Sequence, residues 1–272
     1  MNATVDRIHV FRRLHESGCF VMPNPWDLGS ARLLAQLGFS ALATTSAGFA
    51  WSVGRPDNGV LLEDALSHLR TMANGVDLPI NADFEGGFAI DPDAVHANVT
   101  AATSTGVAGL SIEDSTGNLS NPLFEFALAV ERVRAARKAI DDSGKGILLT
   151  GRSEGFIVGR PDLTETIRRL TAYAEAGADC LYAPGIRARD DIVAVVNAVG
   201  PKPVNVLVGA PFATVAELAD MGVRRISVGG ALARAAWAGF LQASKEIAEQ
   251  GTFSGLANAV PFAELNGRFA SK

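Results

Sequence analysis

Two acids stand two positions apart in "PINADFEGGF" (79–88), Asp83 and Glu85, and a second pair, Glu113 and Asp114, lies in "GLSIEDSTG" (109–117). Each pair closes a short apolar run. Carboxylates gathered at one place repel one another unless protons or a cation intervene. A hard, oxygen-ligated ion is the natural answer. Mg2+, with Mn2+ the other candidate, keeps several waters and needs only one or two protein carboxylates, so Asp83 and Glu113 are the leading ligands. Arg152, in "GRSEG" (151–155), offers a planar fork that binds a carboxylate or phosphate through two hydrogen bonds. The turn after Ser46 in "ATTSAG" (43–48) adds backbone N–H donors for the same anion. A metal, an arginine and amide donors together hold a 2-oxo acid while an enolate develops on it, which points to bond cleavage beside a carbonyl.

Other readings of the same residues stand beside this one. Asp27, Asp114 and Glu85 suit helix caps or solvated loops as well as they suit a metal shell. Arg152 suits a structural ion pair with an acid near Glu154. Ser46 sits in a run of small residues that packing alone explains. All four histidines fall in the N-terminal segment or on expected helices, and no HExxH or Cys/His spacing exists, so zinc is disfavoured.

These groups need a frame that brings them to one end. Eight short apolar or β-branched runs stop at Gly, Pro, Asn or Asp: 19–27, 40–48, 79–87, 109–117, 146–155, 180–185, 203–209 and 225–230. Segments with helical spacing separate them, including Leu61 to Met72, Val130 to Ile140, Leu163 to Ala174 and Ala231 to Ile247. Asp91-Pro92 and Pro161-Asp162 mark helix starts, and Gly in "QLGFSAL", "STGVAGL", "EAGADCL" and "DMGVRRI" marks helix ends. Eightfold alternation at this length predicts an α/β (β/α)8 TIM barrel, one domain over 1–272 with a C-terminal helical extension from about 231. Such a barrel presents its chemistry at the C-terminal strand ends. Those ends carry the acids, Arg152, Tyr182 and Asn205.

Composition narrows the partners. The 272 residues carry a net charge of −5 and hold no Lys/Arg-rich run, so neither nucleic acid nor a membrane surface is expected. Two cysteines give no disulfide framework, and no apolar stretch approaches the roughly 18 to 20 residues of a membrane span. A cytoplasmic, unprocessed enzyme is the expectation. No GxGxxG, GxxxxGK[ST] or GxSxG pattern occurs, which removes dinucleotide, Walker-type and hydrolase-elbow readings.

The ordered set "PNPWD" (23–27), "ATTSAG", "GRPD" (54–57), "NADFEGGF" (81–88), "SIED" (111–114), "GRSEGF" (151–156), "AGADCLYAPG" (176–185) and "PVNVL" (203–207) resembles the isocitrate lyase/phosphoenolpyruvate mutase superfamily over residues 15 to 245. The resemblance implies Mg2+, a 2-oxo or 2-hydroxy carboxylate substrate, an enolate, and a homodimer or homotetramer in which the last helix is exchanged between partners. Carried over by position, Thr45, Ser46 and Ala47 match the turn that binds the substrate carboxylate, and Asp57 an acid of the outer metal shell. Asp83 matches the second acid of the family's DxD strand, Glu113 the metal-shell glutamate, and Arg152 the arginine on the oxo-acid. Asn205 matches the position where later strands close the pocket. Three departures accompany the matches. Asn81 replaces the first acid of DxD, with Glu85 added beyond it. The loop after Glu113 lacks the Lys-Lys/Arg-Cys-Gly-His motif of the isocitrate and methylisocitrate lyases. "YAPG" (182–185) lacks a mutase-type histidine.

These observations favour a Mg2+-dependent lyase acting on a C–C bond next to a 2-oxo or 2-hydroxy carboxylate. Oxaloacetate-type decarboxylation is the simplest form, because loss of CO2 needs no general acid for the leaving fragment. Cleavage of an isocitrate-type substrate would need Tyr182 or bound water as the proton source. The rivals are a C–P enzyme, such as a phosphonopyruvate hydrolase or phosphoenolpyruvate mutase, and a 2-oxo acid binding protein with little turnover.

Overall fold

The computed structural model describes residues 3–270. Eight strands run in chain order: β1 (Phe20–Met22), β2 (Leu42–Ala43), β3 (Ile80–Asp83), β4 (Gly109–Glu113), β5 (Leu148–Arg152), β6 (Cys180–Tyr182), β7 (Val204–Leu207) and β8 (Arg225–Ser227). The helices are α1 (Ala3–Leu14), α2 (Leu28–Gln36), α3 (Ser46–Ser52), α4 (Leu62–Gly75), α5 (Pro92–Thr103), α6 (Phe126–Asp142), α7 (Leu163–Glu175), α8 (Arg189–Val199), α9 (Val215–Asp220), α10 (Ala231–Gln250) and α11 (Phe262–Ala270). All pairings are parallel, and the sheet order β1-β8-β7-β6-β5-β4-β3-β2 nearly closes a ring. The fold is the expected (β/α)8 barrel.

The seam between β1 and β2 is made by other means. Ala43 N–H donates to the Pro23 carbonyl at 3.1 Å. Asn24 donates from Nδ2 to the Thr44 carbonyl and accepts the amides of Val228 and Gly229, each at 2.9 Å. One side chain thereby joins the ends of β1, β2 and β8.

Alternation along each strand divides the core. Leu110, Ile112, Leu149, Leu181, Val206 and Ile226 are buried apolar positions, and burial of each such side chain contributes on the order of 1.5–3 kcal/mol. The alternate positions line the barrel interior. Arg225 on β8 reaches Thr150 Oγ1 on the non-adjacent β5 at 3.0 Å, and also donates to Asn205 Oδ1 at 2.9 Å, a contact that crosses the inside of the ring. Below this layer α1 plugs the N-terminal end. Gly109 gives Phe11 its room, because a Cβ there would meet Phe11 Cε1 at 2.6 Å.

Caps set the helix starts. Asp27 forms a capping box with Ser30, Thr214 forms one with Glu217, and Asp91 accepts the amides of Asp93 and Ala94 while Pro92 takes the first position of α5, where no N–H is needed. Two expectations change. The turn after Ser46 is the first turn of the seven-residue helix α3, capped by Thr45 Oγ1, and β1 spans three residues rather than the whole of 19–27. Small residues and a Pro-Asn-Pro run had concealed both limits.

Candidate active site

The C-terminal ends of β3, β4 and β5 deliver Asp83, Glu113 and Arg152 to adjacent positions. Register explains it: Asp83 pairs with Ser111 two residues below Glu113, and Glu113 pairs directly with Arg152. Arg152 Nη1 lies 3.1 Å from Asp83 Oδ1 and 3.0 Å from Glu113 Oε2, while its Nε donates to Glu154 Oε1. One guanidinium serves three carboxylates. Asp83 Oδ2 accepts both the amide and the hydroxyl of Ser46, at 2.9 and 2.8 Å, and the Asp83 amide donates to Thr44 Oγ1.

Beyond this core the loops add Asp57 and Glu85. Together with Asn58, Ser115, Asn118, Glu154 and Ile157, the groups Ser46, Asp57, Glu113 and Arg152 surround a cavity of about 260 Å3. Glu85 opens onto a neighbouring cavity that shares Asn58, Glu113 and Ser115. Its backbone is left-handed at φ 48°, an uncommon state for a non-glycine residue, and its carbonyl accepts the Glu113 amide at 3.1 Å.

Crowded acids in little water titrate high. Burial, then the charge of Asp83 and Asp57, lifts Glu85 to about 7. Burial and then Asp83 raise Asp57, although its loop is exposed, and burial raises Glu113 and Glu154 against the pull of Arg152. Arg152 is held firmly charged by the acids around it.

Asp114 has a different task. It accepts the Glu154 amide at 2.7 Å through Oδ1, and the Tyr173 hydroxyl and Arg169 Nη1 through Oδ2 at 2.7 and 3.1 Å. It is a buried brace for the β5 end, neither a cap nor an open ligand. Tyr182 stacks behind Arg152, whose Cζ stands 5.3 Å from the ring centroid, and burial pushes its phenol up to about 12. Asn205 is one layer down, with its side chain committed to Ser227 Oγ and Arg225 Nε. Asn81 is deeper on β3, and its Oδ1 is buried without a partner. Thr45 caps α3, and Ala47 lies in its first turn, where helix amides have no acceptor within the helix.

Sequence reasoning left Glu154 out of the site. Its position directly after Arg152-Ser153 was the available signal. Thr44, Asn58 and Asn118 carried none, since hydroxyls and amides in loops are common.

Among the described residues, no three acid, histidine or cysteine side chains are arranged to hold a metal by themselves. A hydrated Mg2+ ion asks for less, and the donor chemistry fits it: three carboxylates meet a single guanidinium, and Asp57 and Glu85 line the adjoining cavities with no ion pair among the described residues.

The sequence model of the phosphoenolpyruvate phosphomutase family matches residues 11–248. The chain belongs to this family. As a family member it falls within the isocitrate lyase/phosphoenolpyruvate mutase superfamily of lyases and mutases. A solved structure from Burkholderia cenocepacia J2315, provisionally assigned as a lyase/mutase, is similar at a TM-score of 0.96 and 46% identity, over 99% of this chain and 98% of that one. An uncharacterised protein of Mycobacterium tuberculosis (strain ATCC 25618 / H37Rv) is 32% identical over 260 residues, 95% of each. The oxaloacetate decarboxylase of Paraburkholderia xenovorans (strain LB400) is 30% identical over 237 residues, covering 83% of this chain and 76% of that protein. No helix among the described residues of this family member is long and apolar enough to cross a membrane.

Proposed function

We propose that this chain is a lyase that breaks a C–C bond beside the carbonyl of a small 2-oxo carboxylate, with oxaloacetate decarboxylation as its simplest reaction. The observation that carries the reading is Arg152: a permanently charged fork at the floor of a 260 Å3 cavity, braced on three carboxylates. A cavity of that size suits a four-carbon acid, and the likeness to an oxaloacetate decarboxylase supports the same choice.

Breaking the bond between C3 and C4 of oxaloacetate releases CO2 and leaves the electron pair on an enolate of pyruvate, which then takes a proton from solvent. Arg152 would face the developing enolate oxygen, and its charge persists throughout because the surrounding acids hold it protonated. Ser46 fixes Asp83, and Asp83 in turn fixes Arg152, so the fork is oriented before substrate arrives. Glu113 and Asp83, with Glu85 and Asp57 through water, would hold Mg2+, which supplies Lewis-acid polarisation of the 2-oxo group when bound. The absence of the Cys-containing loop suits a reaction whose leaving fragment is CO2.

The reading includes a homodimer or homotetramer. The helix after β8, α10, buries only Ala233 and leaves Phe240 and Leu241 exposed, and α11 exposes Phe262 at 86%. Such an apolar surface favours association with a second copy.

The test is conversion of oxaloacetate to pyruvate and CO2 with Mg2+ present, run beside phosphonopyruvate followed by phosphorus NMR. Enzyme-dependent pyruvate formation with an unchanged phosphorus signal supports the lyase. Consumption of phosphonopyruvate with inert oxaloacetate would replace it with C–P chemistry, and tight binding without any product would leave a binding protein.

A further inference from the structure

We infer that the barrel carries a second small-molecule pocket, for an organic acid rich in oxygen atoms, directly behind the catalytic strand end. The cavity has a volume of about 570 Å3 and lies between the loop after β4 and the start of α7. Its walls include Ser120, Asn121, Ser153, Arg160, Thr166 and Arg169. It is separate from the 260 Å3 cavity, with which it shares only Pro122 at the dividing loop.

Two observations point to a ligand. Ser153 is 1% exposed and lines this cavity, yet its hydroxyl is buried with no hydrogen-bond partner. A buried hydroxyl without a partner is costly, so an oxygen or nitrogen delivered to it from the cavity recovers that cost. Arg160 stands exposed at the mouth, and its guanidinium makes no hydrogen bond or ion pair with the described residues. The acids nearby are already engaged: Asp162 caps the Glu165 amide, and Glu165 pairs with Arg168 and Arg169. Arg160 is therefore the cation of the pocket wall that pairs with no acid among the described residues. A carboxylate on Arg160, with a hydroxyl or carbonyl oxygen reaching Ser153 beside Thr166, engages the cation and the unpartnered hydroxyl together, and the volume exceeds what an inorganic ion would fill.

Location gives the pocket a consequence. Ser153 is the residue between Arg152 and Glu154, the pair that forms the floor of the catalytic cavity, and its amide donates to the Tyr182 carbonyl. A ligand that fixes Ser153 thereby bears on the orientation of Arg152.

Citrate is the probe. Calorimetric titration of citrate into the full chain is compared for wild type, Ser153→Ala, Arg160→Gln and Ser46→Ala, the last altering only the catalytic cavity. The expected result is binding that weakens about tenfold or more in Ser153→Ala and Arg160→Gln and persists in Ser46→Ala. Arg160 is an exposed rim residue, so Arg160→Gln keeps the comparison informative even if Ser153→Ala disturbs folding. No measurable binding to wild type overturns the inference, as does binding that Ser46→Ala abolishes and Arg160→Gln leaves intact. Because the readout is heat of binding, the result does not depend on whether oxaloacetate is turned over.

Discussion

Arg152 Nη1 stands 3.0 Å from Glu113 Oε2 across two directly paired strands, so the cation and a buried acid of the cavity are neighbours by register alone. Arg152→Gln removes the cation while leaving Asp83, Glu113 and Glu154 in place. Turnover of oxaloacetate should fall by on the order of a hundredfold or more, with Arg152→Lys only partly restoring it because an ammonium cannot serve three carboxylates as a fork does. Steady-state rates for the three proteins check this, and wild-type rates in Arg152→Gln would remove Arg152 from the mechanism.

Asp114 braces the same strand end from behind. Asp114→Asn leaves Arg169 and Tyr173 facing an amide and loosens the Glu154 backbone, which should destabilise the fold by about 3 kcal/mol. Urea unfolding measures the loss. An unchanged midpoint would contradict the brace.

His15 titrates in the opposite sense to the acids. Burial, and Arg225 at 3.3 Å from its Nε2, lower it to about 3 from 6.5. The unfolded chain therefore takes up this proton below about pH 6.5 and the folded chain only near pH 3, so stability present above 6.5 is lost as pH falls. At pH 4.5 the loss is about 2 to 3 kcal/mol from this group. Glu85 has the reverse sign: its folded value near 7 exceeds 4.5, so its ionisation weakens the fold as pH rises through that window. Relative to wild type, His15→Gln should raise the melting temperature at pH 4.5 against that at pH 7, because the loss from His15 is removed while the Glu85 effect stays.

Gly151 faces Tyr173 on the outside of β5. A Cβ there would sit 2.8 Å from Tyr173 Cβ and 3.2 Å from Ala178 Cβ, so Gly151→Ala should cost about 1–3 kcal/mol and disturb the Tyr173–Asp114 contact. Thermal melting, paired with activity, tests both effects.

Charge on the apolar face of α10 tests assembly. Phe240→Glu combined with Leu241→Glu should shift the protein to monomers in sedimentation velocity, with little change in secondary structure, because neither side chain is buried within one chain. A wild-type monomer would set aside the homo-oligomer.

Much of this molecule is legible in its sequence, and the parts that are not share a cause. Strand order and the acids of β3 and β4 follow from apolar runs ending in polar residues, since period and punctuation are local properties. α3 escaped because it spans only seven residues and opens on the small run Ser46-Ala47-Gly48 behind a single Thr45 cap. Asn205 and Asp114 carry strand-end positions as suggestive as that of Glu113. What separates them is which way Arg225, Arg169 and Tyr173 turn, and those partners come from 20 to 59 positions away. Side-chain commitments of that range leave no local pattern.

Asn24 bridges the open seam to Thr44 through its amide nitrogen and, through its oxygen, reaches residues 204 and 205 positions further along the chain at the end of β8. During synthesis, then, the side chain that joins the barrel is made near the beginning and waits for the last strand before its amide oxygen has donors. Closing a loop of that length is entropically expensive and kinetically late, so every earlier β/α unit can assemble against its neighbour before the circle is complete.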